Sequence, residues 1–131
     1  SKKDFDTFLG NIYVDTENPN GDVNVSVTTL RSWFAKANKK NLMTGDEYKY
    51  YNSLLEQITV YRGVGISRKE KGLSWTQNIE KAKWFANRFN RKGRTGYVVT
   101  ASISKDEILA YFGRRGEEEI ICLPEKYTVI C

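Results

Sequence analysis

The chain has 131 residues, 40% hydrophobic and 13% aromatic, which is enough for one packed domain and too apolar for a disordered segment. It contains no histidine, which excludes Ser-His-Asp and Cys-His catalysis and argues against a zinc site. The formal net charge of +5 favours an anionic partner, such as a nucleotide, a nucleic acid or an acidic protein face.

Helical periodicity dominates the first part of the sequence. Residues 1 to 24 predict a short helix followed by a polar loop, and residues 27–40 have the apolar spacing of an amphipathic helix that ends in lysines. Thr44 and Glu47 form a capping-box pattern, so we expect a third helix to begin there and to run through Leu54 and Leu55. No repeat or low-complexity linker marks a domain boundary.

The pattern changes at Ile58, where β-branched and aromatic residues predict a strand that ends with Arg62 and Gly63. A guanidinium at the end of a buried strand suits phosphate binding, because it is always charged and bidentate. A single arginine at a strand end more often faces solvent. The glycines at 63 and 65 begin like a dinucleotide fingerprint, but Arg68 occupies the third glycine position, so we exclude a Rossmann fold.

A short strand and a helix are predicted next. Leu73 to Thr76 would form the strand, with Ser74 and Thr76 on one face, and Asn78 would cap a helix whose apolar stripe includes Phe85. Beyond this helix the sequence predicts a basic loop at 88–94, a strand at 96–102, a capped short helix from Ser104 and Glu107 through Leu109, and a last strand at 127–131.

Three consecutive glutamates, Glu117 to Glu119, precede an apolar run at 120–123 that predicts a buried strand. On a strand, Glu117 and Glu119 would share one face and Glu118 would lie on the other. Two neighbouring carboxylates can stabilise a developing positive charge and orient a nucleophile, whereas in isolation such residues usually form a solvated turn. Helices followed by short strands interrupted by helices predict an α+β fold.

An arginine ending a strand, a Ser-Trp-Thr strand before a helix and glutamates entering a strand occur in this order. Here the chain resembles the mono-ADP-ribosyltransferases of the arginine–serine–glutamate class, which includes bacterial toxins and phage enzymes. The absence of histidine agrees with this class and excludes the sister class built on His-Tyr-Glu. The middle motif departs from the family's Ser-Thr-Ser pattern, because Gln77 follows where a third hydroxyl would be expected.

The resemblance implies a fold and an activity. It implies one domain over residues 1–131, with a helical lobe at about 1–57 and a mixed or antiparallel two-sheet ADP-ribosyltransferase-like core at about 58–131. It implies a glycosyltransferase that cleaves NAD, used as a co-substrate without a metal, and transfers ADP-ribose to a macromolecule as a toxin or phage effector. Paired glutamates resemble those of arginine-modifying members, so a protein arginine is the expected acceptor.

The resemblance also assigns roles to residues. Glu119 would hold the ribose hydroxyl and face the developing charge, Glu117 would orient or activate the nucleophile, and Ser74 would fix the orientation of Glu119. A strand bulge would make Glu118 the second catalytic carboxylate instead. The side chains and backbone assigned to NAD binding are those of Arg62 at a phosphate, Gly63 at the nicotinamide amide, Ser74, Thr76 and Phe85.

The remaining expectations concern partners and location. By the same resemblance, the loop from Tyr111 to Gly116 would contact the target macromolecule, a protein or a nucleic acid. No apolar run reaches the roughly 20 residues that cross a bilayer. The resemblance implies a protein that is cytoplasmic or delivered to the cytoplasm of a target or host cell. The alternatives are an inhibitor that binds a partner protein through the helical part, or a non-enzymatic module that binds nucleic acid through Arg88, Arg91, Lys92, Arg94, Arg114 and Arg115.

Overall fold

Helices form the first part of the chain, and strands form most of the rest. The computed structural model describes residues 2–15, 27–66, 70–88, 90–113 and 118–130, with the backbone alone for 11–15. The helices are α1 (Lys2–Asp15), α2 (Val27–Lys36), α3 (Lys39–Leu42), α4 (Gly45–Ser53) and α5 (Ile79–Asn87). The strands are β1 (Gln57–Val64), β2 (Ser74–Thr76), β3 (Tyr97–Ser104), β4 (Ala110–Phe112), β5 (Glu119–Ile121) and β6 (Thr128–Val129).

The helix predicted over residues 27–40 is divided into α2 and α3. Asn38 separates them, because its side chain accepts a hydrogen bond from the Lys40 amide at 2.9 Å and so caps α3. The backbone amide of Asn38 donates to Asp6 Oδ2 at 2.9 Å, and Asp6 is only 1% exposed. A buried carboxylate of α1 therefore holds the break between the two later helices.

The capping box predicted at Thr44 and Glu47 is confirmed. The Thr44 amide donates to Glu47 Oε1 at 2.8 Å, and the Glu47 amide donates to Thr44 Oγ1 at 3.2 Å. The helix that it opens, α4, ends at Ser53, two residues before the predicted limit at Leu55, and Leu54 is its C-cap.

The described strands form one six-stranded sheet in the order β4-β5-β2-β1-β3-β6, and every pair is antiparallel. The fold is therefore α+β, as predicted, while the expected two-sheet core is not confirmed. The sheet is joined unevenly, however. β1 pairs with β3 along its full length, from Gln57 to Val64, whereas it pairs with β2 at Tyr61 and Thr76 alone within the described residues.

β4 is a strand that the sequence analysis missed. The predicted helix from Ser104 through Leu109 is instead a single 3₁₀ turn, Lys105–Glu107. The helix does not continue beyond this turn, because Ile108 packs into the core at 0% exposure and the Leu109 amide donates to the Ile121 carbonyl at 2.7 Å. This bond begins the pairing of β4 with β5, so Tyr111 and Phe112 lie in a buried strand and not in the predicted target loop.

Helix α5 lies directly on β1 and β3. Ala82 and Ala86 pack against Val98 and Tyr61 in a small cluster separate from the main core. The approach is so close that a Cβ on Gly63 would lie 2.0 Å from the Ala82 carbonyl oxygen. Glycine is therefore required at this position for helix–sheet packing. The same contact fixes α5 relative to the strands that carry the sequence motifs.

Candidate active site

The strands that carry the three motifs are neighbours in the sheet. β5, β2 and β1 are consecutive, with Thr76 opposite Glu119 on one side and opposite Tyr61 on the other. Arg62 follows Tyr61 directly. The fold thus brings the arginine, the Ser-Trp-Thr strand and the last of the three glutamates together from positions 62, 74–76 and 119, which are distant in the sequence.

Directly paired residues of antiparallel strands point to the same face of a sheet. Glu119, Thr76 and Tyr61 therefore share the face on which α5 packs. Ser74 lies on this face too, but its partner is Ile121, so it is diagonal to Glu119 and not opposite it. Arg62, adjacent to Tyr61, belongs to the other face, where its partner Val99 is part of the main core.

The Arg62 side chain is only 1% exposed. Its Nε donates to the Glu70 carbonyl oxygen at 3.1 Å, and its Nη1 donates to the Ser74 carbonyl oxygen at 3.0 Å. The guanidinium thus ties β1 to β2 next to the point where their pairing is a single residue pair. Binding of an NAD phosphate by Arg62 stays a prediction.

Glu70 is held by two tyrosines that the sequence analysis did not connect to the site. The Tyr97 hydroxyl donates to Glu70 Oε1 at 2.7 Å, and the Tyr127 hydroxyl donates to Oε2. These hydrogen bonds, with Tyr127 contributing most, lower the pKa of the Glu70 carboxyl. The bond to Glu70 in turn raises the pKa of Tyr97 to about 12 and raises that of Tyr127. No sequence signal links residues so far apart.

The turn between β2 and α5 organises the region beside Glu119. The Thr76 hydroxyl accepts a hydrogen bond from the Asn78 amide at 3.0 Å, and Asn78 Oδ1 accepts from the amides of Glu80 and Lys81 at 3.0 and 3.3 Å. The predicted N-cap at Asn78 is therefore confirmed. Thr76 thus stabilises this turn, and NAD binding by Thr76 stays a prediction.

Two carboxylates of the glutamate run lie within the described residues. Glu119 begins β5 and is half-buried, whereas Glu118 precedes the strand with a φ of 51°. The alternation predicted for residues 117–119 is therefore wrong at Glu118, because a left-handed residue does not continue a strand. Its carboxylate lies 3.4 Å from Lys81 Nζ and 3.5 Å from Asn78 Nδ2. Glu117 lies outside the described residues.

Two tyrosines, Tyr50 and Tyr111, lie near Glu118. The rings of Tyr50 and Tyr111 lie 4.3 Å apart, and the Tyr50 hydroxyl donates to Gln77 Oε1 at 3.1 Å. Burial raises the pKa of Tyr111, with smaller contributions from Tyr50 and Glu118. Tyr50 reaches the site from α4, which sequence reasoning treated only as part of the helical lobe.

A further contact joins α4 to the end of β4. Glu47 is 4% exposed, and its Oε2 accepts a hydrogen bond from the Gly113 amide at 3.0 Å. Of the predicted target loop, Gly113 is thus held by the same carboxylate that caps α4, while residues 114–116 lie outside the described ranges.

Phe85 lies further along α5 than the turn at Asn78. It is half-buried, its ring packs edge-on against Trp84 at 5.0 Å, and the Arg88 guanidinium lies 5.6 Å from it. At about 1.5 Å per helical residue, Phe85 is about 9 Å along the axis from Ile79. The fold therefore places Phe85 near Arg88 at the end of α5, and NAD binding by Phe85 stays a prediction.

Three other features bear on the chemistry available. Among the described residues, no group of three or more Cys, Asp or Glu side chains is arranged to hold a metal ion. Burial raises the pKa of the Cys122 thiol, which disfavours the thiolate that a cysteine nucleophile needs. Within the same part of the chain, none of the helices combines the length and apolarity that a bilayer crossing requires.

The interpretation of this site depends on its own geometry. No protein-family model, no curated protein and no solved structure matches the chain.

Proposed function

We propose that the protein is an NAD-dependent mono-ADP-ribosyltransferase. The observation that carries this proposal is the adjacency of β1, β2 and β5. Each of the three motifs is unspecific by itself, but together they lie on consecutive strands, with Thr76 opposite Glu119. A chance occurrence of the motifs would not require their strands to be neighbours. The helix after β2 and the carboxylates beside its first turn agree with the same interpretation.

In this proposal Glu119 is the catalytic carboxylate. The reaction breaks the bond between the ribose C1′ and the nicotinamide nitrogen, and nicotinamide leaves with the bonding electrons. A carboxylate beside C1′ stabilises the positive charge that develops on the sugar, and this interaction is stronger in the transition state than in the ground state. The acceptor nitrogen then bonds to C1′ and loses a proton. Glu119 suits the role because it is half-buried at the start of β5, where partial removal from water strengthens its field.

Arg62 and Ser74 are positioning residues in this proposal. The guanidinium binds the Ser74 carbonyl and so holds β2 beside β1, and β2 in turn holds β5 through three residue pairs. The position of Glu119 thus depends on Arg62 through the backbone of β2. Glu117 is expected to orient the acceptor. The first choice of acceptor is a protein arginine, and the expected place of action is the cytoplasm of a target or host cell.

The test is nicotinamide release from NAD by the purified chain, with and without a simple guanidino compound as acceptor. We expect release by the wild type, loss of at least a hundredfold in Glu119→Gln, since one preorganised electrostatic group contributes about that much, and no change in Glu125→Gln. Glu125 is an exposed matched control. Stimulation by the acceptor would support arginine modification.

A second comparison separates the three glutamates. Glu117→Gln should lower transfer to the guanidino compound more than NAD hydrolysis, because it removes acceptor orientation and leaves the charge-stabilising carboxylate. Glu118→Gln should change both rates little. Failure of the wild type to bind NAD or to release nicotinamide at millimolar NAD would refute the proposal.

A further inference from the structure

The second half of α5 and the turn after it form a surface of which only Phe85 was assigned to NAD binding. Residues 81–96 contain six lysines and arginines and no aspartate or glutamate, and the next acidic residue along the chain is Asp106. We call this region the basic–aromatic surface. It consists of Trp84, Phe85, Arg88, Arg91, Lys92 and Arg94.

Its aromatic part is a tryptophan presented to solvent. Trp84 is 60% exposed, which is unusual for so large an apolar side chain. The Arg88 guanidinium lies 5.2 Å from the Trp84 ring centroid, within the range of a cation–π interaction. The exposed ring offers a surface on which an unpaired base can stack, and the guanidinium beside it adds a positive charge.

Its basic part is an ordered turn. Arg91 and Arg94 form an isolated β-bridge with two backbone hydrogen bonds, of 3.0 and 2.8 Å, and Gly93 closes the turn with a φ of 77°. Arg91, Lys92 and Arg94 are all exposed. A short turn therefore presents three cations close together.

This turn is fixed to the rest of the fold by Asn90. Its Nδ2 donates to Asn87 Oδ1 at 2.8 Å, and its Oδ1 accepts from the Gly96 amide at 3.0 Å. One side chain thus connects the end of α5 to the start of β3. Because Asn90 fixes the turn relative to α5, which carries Trp84, a ligand could contact the cations and the ring without a large entropic cost of ordering them.

We propose that the basic–aromatic surface binds single-stranded nucleic acid. The cations complement a phosphate backbone, and the exposed ring offers stacking to unpaired bases, which a duplex keeps within its own stack. An acidic protein segment would use the charges but not the ring. α5 is about 13 Å long, and its other end carries Lys81 beside Glu118, so a bound strand would lie close to the candidate active site. The binding proposal does not depend on NAD chemistry.

The test is fluorescence anisotropy with a labelled single strand of about 16 nucleotides, measured over a series of salt concentrations. The triple variant Arg91→Gln, Lys92→Gln, Arg94→Gln should bind more weakly and should lower the slope of log K against log salt by about 2, at about 0.7 per phosphate contact. The matched control removes three exposed lysines elsewhere: Lys3→Gln, Lys36→Gln, Lys49→Gln. Its slope should stay close to that of the wild type.

Stacking is tested separately. Trp84→Ala should weaken binding about fivefold to a hundredfold with little change in the salt slope, because it removes no charge. Arg88→Gln should weaken it as well, and thermal unfolding of each variant verifies that it is folded.

Two results would overturn the proposal. Equal loss in the triple variant and its control would show that net charge alone is responsible. Binding that is insensitive to Trp84→Ala and is displaced equally well by poly-glutamate would show an acidic-protein surface instead.

Discussion

Arg62 is the side chain on which the junction between β1 and β2 depends. It is 1% exposed, and it donates to the carbonyl groups of Glu70, which precedes β2, and of Ser74, the first residue of β2. Arginine suits this position because its planar fork reaches two acceptors at once, whereas a lysine ammonium is a point charge on a flexible stem. A catalytic effect of an Arg62 variant therefore has to be separated from its effect on stability.

We expect Arg62→Lys to lower the free energy of unfolding by about 2 kcal/mol, because hydrogen bonds to charged groups contribute about 1.5–3 kcal/mol and one partly buried carbonyl would lose its partner. Urea unfolding measures this change. Arg94→Lys is the matched control on an exposed residue, and it should change stability by less than about 0.5 kcal/mol. Equal unfolding midpoints for both variants would contradict the structural role of Arg62.

Glu70 gives the region around Arg62 a dependence on pH. Hydrogen bonds from Tyr127 and Tyr97 favour the carboxylate and place its folded pKa below the ordinary value of 4.5. A carboxyl whose pKa is depressed on folding stabilises the protein fully above its unfolded pKa, and this contribution disappears as the pH falls through the folded value.

The stability difference between the wild type and Glu70→Gln should therefore be constant near neutral pH and should shrink below about pH 4.5. Urea unfolding between pH 7 and about pH 3 measures it, with Glu125→Gln as the exposed control. A difference between wild type and Glu70→Gln that stays constant over this range would show that the tyrosines do not favour the charged form.

At the scale of elements, α5 and β1 approach each other most closely at Gly63, where β1 has no side chain. The resemblance assigned the backbone of Gly63 to the nicotinamide amide, and the structure gives this glycine a packing role, since α5 fills the space above its Cα. The helix that follows β2 is thus held against β1 by a glycine from the arginine motif. The sequence motif and the packing requirement fall on the same residue.

Gly63→Ala should destabilise the protein by about 1–3 kcal/mol, the usual range for overpacking, because its Cβ would lie 2.0 Å from the Ala82 carbonyl oxygen. Gly45→Ala is the matched control, since nothing lies within 4 Å of its added Cβ, and in the first turn of α4 it should be neutral or slightly stabilising. Thermal unfolding compares the two. A Gly63→Ala protein as stable as the wild type would show that α5 can shift away from β1.

The elements that the sequence predicted well are those with local signals. Thr44 with Glu47 and Asn78 cap their helices as expected, because a cap requires only residues within one turn. The break at Asn38 depends on Asp6, 32 residues earlier, and β4 depends on pairing with β5. Neither contact leaves a periodic pattern in its own segment, so neither could be predicted from it.

For the candidate site too, the local features could be predicted from the sequence and the long-range contacts could not. The motifs indicated the strands of Arg62, Ser74 and Glu119, but not the register that places Thr76 opposite Glu119. Burial of Arg62 was also missed, since the expected role was at a phosphate and its acceptors are backbone carbonyls, which no residue type reveals.

At the scale of the whole molecule, the helices that precede β1 share the main hydrophobic core with the sheet. Phe34 of α2 is fully buried, and its ring lies 6.2 Å from that of Phe112 in β4. Glu47 and Tyr50 of α4 reach Gly113 and Gln77 beside the candidate site. The helical part is therefore a structural support of the site, and we expect the two parts to unfold together.

Phe34→Ala tests this coupling. The change should lower the free energy of unfolding by about 3–5 kcal/mol, a large share of the 5–15 kcal/mol typical of a domain, because it leaves a cavity between the helices and the sheet. Far-ultraviolet circular dichroism, which reports the helices, and intrinsic fluorescence, which reports tryptophans in both parts, should give coincident urea transitions in the wild type and in the variant. Phe8→Ala is the control, since Phe8 is 62% exposed, and it should change the midpoint little. Two separated transitions, with Phe34→Ala shifting only the one seen by circular dichroism, would show that the helices and the sheet fold independently.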